Sequence, residues 1–266
     1  MSTLTTTRPA LATQVRPASS VGFGRLSAIE LRKLVDTRAA RWLLAATAAT
    51  AALGAGAMVL VATSPDLPPI GAQAFVATST GAVGLLLPVM AILLVASEWT
   101  QRGALVTFTL EPRRLRVLAA KLVAAVAAAV AMSVLAAGMG YLIAVGFDVA
   151  SGGGMNLRVD PGALGWLTAE TVLGTVQGVA LGVLLMNTAA AVAVFLLAPI
   201  ALQFAGLLGP QIAEIVSWIS TTIGMVQVDA PLDGGAHWGK VAVTTAFWVV
   251  LPLVLGAVRL LRHEVK

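Results

Sequence analysis

Few residues in this chain could do chemistry, and their placement narrows what that chemistry is. There are no cysteines, which excludes disulfides, thiol catalysis and cysteine-ligated metals. The two histidines, His237 and His263, flank the last apolar segment and are too far apart in sequence to form a local metal motif. Gly234, Gly239 and Lys240 match the spacing of a phosphate-binding loop, but Val241 stands where a magnesium-ligating hydroxyl is required and no strand precedes the segment. The chain therefore carries no evident ATPase of its own. An intramembrane metalloprotease or serine protease lacks its ligands or its base.

The most informative charged stretch is Glu98 to Leu122, which reads EWTQRGALVTFTLEPRRLRVLAAKL. Glu98 ends an apolar run, Gly103 breaks the helix, and Pro112 suits the first turn of a new one. Arg113, Arg114, Arg116 and Lys121 follow, and Lys121 leads into the next apolar run. The stretch predicts a short helical element projecting into the cytosol. A plain basic loop held by anionic lipid headgroups explains the same residues.

The elements that position these residues follow from what is missing elsewhere. The chain has 266 residues, 58% hydrophobic and only 11% charged. Soluble domains carry about 25% charged residues, so an ordinary soluble fold is excluded. About 20 apolar residues cross a hydrocarbon core of roughly 30 Å. Runs free of Asp, Glu, Lys and Arg mark the spans, placed at about 42–62, 73–97, 122–147, 164–186, 189–208 and 241–259, the fourth reaching back past Glu170. The fourth and fifth share one uncharged run, Thr171 to Ala213, which as a single helix would be about 64 Å long. Asn187-Thr188 is the expected turn. The expected fold is an all-α integral membrane protein, with ionisable residues expected only near the span boundaries. A cleaved signal peptide is disfavoured, because a long polar and basic stretch precedes the first span.

Lys and Arg set the orientation. Residues 1–41 hold seven, 98–121 five and 259–266 three, leaving only Arg158 and Lys240 of the 17 on the other side. Both termini and the 98–121 loop are thus expected in the cytoplasm. Asp66, Asp148, Asp160, Glu170, Glu214, Asp229 and Asp233 are expected outside or near the outer boundary. The basic excess is an orientation signal and does not call for nucleic acid.

Residues 1–23 read as a flexible cytosolic tail, and 24–41 as an amphipathic surface helix, with a cytosolic extension of the first span as the alternative. The transmembrane domain covers 42–259, with 148–163 as a Gly-rich linker and 260–266 as a cytosolic tail. Residues 209–240 read as an outer-face element, its 209–228 portion re-entrant or interfacial. Gly174, Gly178 and Gly182 form a small-residue row that lets another helix approach, from the same subunit or a second one. Pro88 and Pro199 can kink their spans. Trp42, Trp99, Trp166, Trp238 and Trp248 fall mostly near boundaries and read as interfacial anchors.

On the Glu98–Lys121 stretch the chain resembles the ABC-2 family of ATP-binding-cassette exporter permeases. The resemblance lies in Glu98 at the end of the second span, Gly103, the segment Leu110-Glu111-Pro112-Arg113-Arg114, and Lys121 opening the third. The six-span layout with both termini inside, the surface (elbow) helix and the element before the last span are similar too. The resemblance implies a permease subunit in a bacterial cytoplasmic membrane, exporting a drug, peptide antibiotic or lipid-like substrate. It implies a separate cytosolic ATPase that holds ATP and magnesium, a second permease subunit, either identical or different, and contact with membrane lipids. The chain itself would hold no cofactor or metal and catalyse nothing. The residues it points to for ATPase coupling are Glu98, Arg102, Gly103, Pro112, Arg113 and Arg114, with Glu30 and Arg32 on the surface helix. The alternative is a stand-alone or substrate-capture polytopic membrane protein not driven by such an ATPase.

Overall fold

The computed structural model describes residues 22–100, 113–220 and 235–262. Among these the protein is all-helical. Helix α1 runs Phe23–Asp36, α2 Arg38–Ala62, α3 Ala72–Thr100, α4 Arg114–Ala150, α5 Pro161–Leu185, α6 Thr188–Gly206 and α7 Pro210–Ile219. Helix α8, Gly235–Thr245, passes through a π-turn, Ala246–Val250, into α9, Leu251–Arg262. Six helical stretches are long and apolar enough to cross a membrane, as a multi-pass membrane protein requires: Arg38–Ala62, Ala72–Trp99, Arg114–Ala150, Pro161–Leu185, Thr188–Gly206 and Trp238–Arg262.

Local chemistry sets the helix ends. Thr37 Oγ1 accepts from the Ala40 N–H at 3.1 Å and starts α2. Asp160 accepts from the N–H groups of Gly162 and Ala163, and Pro161 occupies the first turn of α5. Such caps satisfy N–H groups that have no partner within the helix. The uncharged 43-residue run does break at Asn187. Met186 takes a left-handed conformation (φ 50°), and Asn187 Oδ1 caps α6 by accepting from the Ala190 N–H at 3.0 Å.

Polar residues inside these apolar helices are mostly satisfied locally. Thr47, Thr80, Thr171 and Thr175 each donate to the carbonyl four residues back. The π-turn has a similar local cause. Pro252 has no N–H to offer the Trp248 carbonyl, and the Leu251 N–H bonds five residues back to Ala246.

Helix α3 is the centre of the bundle. Leu87, Met90 and Leu94 pack with Ala129 and Ala136 of α4 and with Leu34 of α1. Ala91 and Val95 meet Val179 and Val183 of α5 and Leu260 of α9. The glycine row of α5 lies directly against α3. A Cβ on Gly178 would sit 2.5 Å from the Pro88 carbonyl oxygen, and one on Gly182 3.4 Å from that of Ile92. Gly174 approaches the Pro88 ring in the same way. The row is thus an internal helix–helix contact in this chain. In contrast, α2, α6 and α9 turn many large apolar side chains outward, including Leu53, Leu60, Leu197 and Phe204.

The uncharged runs stop at charged residues, but the helices continue through them. Helix α4 begins at Arg114, so Lys121 lies inside a candidate span, eighth along it. Helix α5 begins at Pro161, so Glu170 lies about 15 Å past its cap. Lys121 and Glu170 therefore lie within helices apolar enough to cross a membrane.

Candidate functional site

At one end of the bundle, α1, the end of α3 and the start of α4 converge on four charged side chains. Lys121 Nζ donates to Glu30 Oε2 at 2.7 Å, to Glu98 Oε1 at 2.9 Å and to the Leu94 carbonyl at 3.0 Å. These are the three donor directions of an ammonium group, all used. Lys33 Nζ donates to Glu30 Oε1 at 2.7 Å and to Glu98 Oε1 at 3.0 Å. Two carboxylates and two ammonium groups thus close a ring with no net charge. Its inner pair is nearly sealed, with Glu30 1% and Lys121 4% exposed; Lys33, at 39%, faces outward.

The local sequence places each member. Glu30 and Lys33 are three apart on α1 and share a face. Helix α1 is amphipathic, with Leu26 and Leu34 buried on the side of Glu30. Leu26 packs with Val117 and Ala120 of α4, next to Lys121. Burial works against the charged form of Lys33, but its bonds to Glu30 and the nearby Glu98 charge outweigh that and raise its pKa above the ordinary lysine value.

The cluster ties α1 to the two helix ends that bracket residues 101–112. Arg114 adds a tie to the last helix, its Nη1 donating to the Leu260 carbonyl at 2.6 Å. Arg259 makes a similar bond from α9 to the Leu184 carbonyl at 2.5 Å. The end of α3 and the start of α4 are thus joined to α1 by ion pairs, and the start of α4 is joined to α9 by a hydrogen bond. Charged groups sealed this way are costly to separate.

Of the residues singled out from sequence, the structure brings Glu98 and Glu30 together in the ring and puts Arg114 beside it. Arg113 is exposed and precedes α4 with no side-chain capping bond. Arg32 lies apart: it pairs with Asp36 at 3.0 Å on the exposed face of α1. Arg102, Gly103 and Pro112 lie outside the described residues. Sequence reasoning gave no role to Lys33 and read Lys121 only as the start of a span. The Glu30–Lys33 spacing was a visible signal, while the pairing of Lys121 with residues 23 and 91 positions away was not.

A second feature went unseen. In the half of the bundle away from the ion cluster, α3, α5, α6 and the π-turn enclose a cleft of about 720 Å³. Thr80, Gly84, Glu170, Gln177, Gln203 and Trp248 line it among apolar side chains. Its volume is typical of sites for drug-sized ligands. Trp248 is held there by its Nε1, which donates to the Ile219 carbonyl at 2.6 Å. Trp166 and Trp238 instead meet edge to face, with ring centroids 6.1 Å apart.

Helix α7 closes the same half of the bundle. Trp218 Nε1 donates to Glu214 at 2.9 Å, Thr244 Oγ1 donates to the Trp218 carbonyl at 3.0 Å, and Lys240 sits 5.7 Å from the Trp218 ring centroid. Gly239 and Lys240 are thus residues of helix α8, not of a phosphate-cradling loop. No group of metal-ligating side chains occurs among the described residues. No protein-family model matches the chain, and no curated protein matches it either.

Proposed function

We propose that this chain is the membrane-spanning subunit of an ABC-2 type exporter in a bacterial cytoplasmic membrane, driven by a separate ATPase. In this reading both termini and residues 98–121 face the cytoplasm, α1 lies at the membrane surface, and α7 sits at the outer face. The ATPase holds ATP and magnesium and docks on the 98–121 segment and α1. A second permease subunit completes the transport pathway. The substrate is a drug, a peptide antibiotic or a lipid-like molecule.

The observation that carries this reading is the Glu30–Lys33–Glu98–Lys121 ring. A membrane protein with no energy source of its own needs a stiff element that converts a push at the surface into helix movement. The ring supports such a role because it fixes a surface helix to both helices leading into the basic segment. Arg113 tests this without disturbing the ring, since its side chain is exposed and makes no capping bond. Arg113→Glu is expected to abolish ATP-driven export while leaving membrane insertion and melting temperature unchanged. Export at the wild-type rate by both Arg113→Glu and Glu98→Lys overturns the coupling assignment.

A further inference from the structure

Among the described residues, Glu170 is the one ionisable side chain lining the cleft. It lies ten residues into a helix apolar enough to cross a membrane, and it makes no hydrogen bond or ion pair to any described residue. Gln177 lies two turns further along the same face. It is 6% exposed, lines the same cleft and is likewise without a protein partner among the described residues. A carboxylate and a buried amide left open at membrane depth are costly, and such groups mark binding positions.

The rest of the lining fits an apolar body. Leu167, Phe195, Leu197, Ile200 and Val249 form its walls, and the Trp248 ring adds a face that attracts cations. The π-turn that carries Trp248 is the kind of helix irregularity found at functional sites. Gly81 and Gly84 thin the α3 side of the cleft, and a Cβ on Gly81 would meet nothing within 4 Å.

We propose that this cleft binds an amphipathic organic cation, with its charge beside Glu170 and its apolar body against α6 and Trp248. As a statement of substrate class it rests on the exporter reading above. Binding by the isolated chain does not, because it needs no ATPase.

The test uses the purified full chain in phosphatidylcholine nanodiscs, whose lipid carries no net charge. The probes are tritiated tetraphenylphosphonium and unlabelled tetraphenylborate, which share size and shape but are opposite in charge. Saturable tetraphenylphosphonium binding is expected, with tetraphenylborate competing at least tenfold more weakly than unlabelled tetraphenylphosphonium. Glu170→Gln is expected to weaken tetraphenylphosphonium binding at least tenfold. Gly81→Phe, which fills the cleft and keeps the charge, is expected to remove saturable binding. No saturable binding at millimolar probe, equal competition by the two ions, or unchanged affinity in both variants overturns the proposal. The ion comparison uses wild-type protein, so it decides the matter even if a variant fails to fold. Binding together with failed ATP-driven export would refute the exporter reading and leave the cleft assignment standing.

Discussion

Removing Lys121 is the sharpest perturbation of the ion ring. In Lys121→Met the stem keeps most of its apolar volume, but Glu30 and Glu98 lose a shared cation. Lys33 is then the sole counter-ion in the ring for two carboxylates, one of them 1% exposed. Removing one partner from a buried ion pair costs about 3–5 kcal/mol. At roughly 2–4 °C per kcal/mol for chains near this length, the melting temperature should fall by about 10 °C. The assay is thermal unfolding of the purified protein in mild detergent, followed by intrinsic tryptophan fluorescence. A second change, Glu30→Gln on the Lys121→Met background, leaves the balanced Lys33–Glu98 pair. It should recover a substantial part of the loss, because residues in one ionic network couple by about 0.5–3 kcal/mol. If Lys121→Met lowers the melting temperature by less than about 3 °C, or if the double variant shows simple addition of the two single losses, the ring is not the structural tie described here.

The close approach of α5 to α3 predicts that Gly178→Ala destabilises the protein by about 1–3 kcal/mol, because the new methyl would meet the Pro88 carbonyl. Gly146→Ala, where a Cβ meets nothing, should not destabilise it; paired thermal melts distinguish the two. The raised pKa of Lys33 gives a pH dependence of definite sign. Its stabilising contribution is complete below the ordinary lysine value of 10.5 and is lost as pH rises through the higher folded value. Melting temperature against pH should therefore drop in strongly alkaline buffer, and drop less in Lys33→Met. Asn187→Ala removes the cap of α6 and should cost about 1 kcal/mol, read as a lower melting temperature.

Much of the fold was legible because apolar runs and loop charges are local signals. The division of the long uncharged run at Asn187 followed from its length and from one polar pair. The span boundaries were less legible, since a run ends at its first charge whereas a helix does not. Arg114, Arg116 and Lys121 all belong to α4, and Glu170 to α5. Within the site, Glu98 was legible as an acid at a helix end. Its partnership with Lys121 and Glu30 was not, because that depends on how α1 packs across α3 and α4. The cleft was hidden for a similar reason: Glu170, Gln203 and Trp248 lie on three separate segments and share no spacing rule. The glycine row was visible, but only packing shows that it meets α3 and the Pro88 carbonyl.

The central claim is that a separate ATPase drives this chain through the surface that the ion ring supports. The most direct measurement is ATPase activity copurifying with the tagged full-length chain from its own cells in gentle detergent. A stoichiometric ATPase subunit is expected with the wild-type chain, together with loss of ATP-driven transport in Arg113→Glu while the chain stays folded in the membrane. A clean chain with no ATPase, or transport unaffected by both that substitution and Glu98→Lys, would contradict the claim and favour a stand-alone membrane protein.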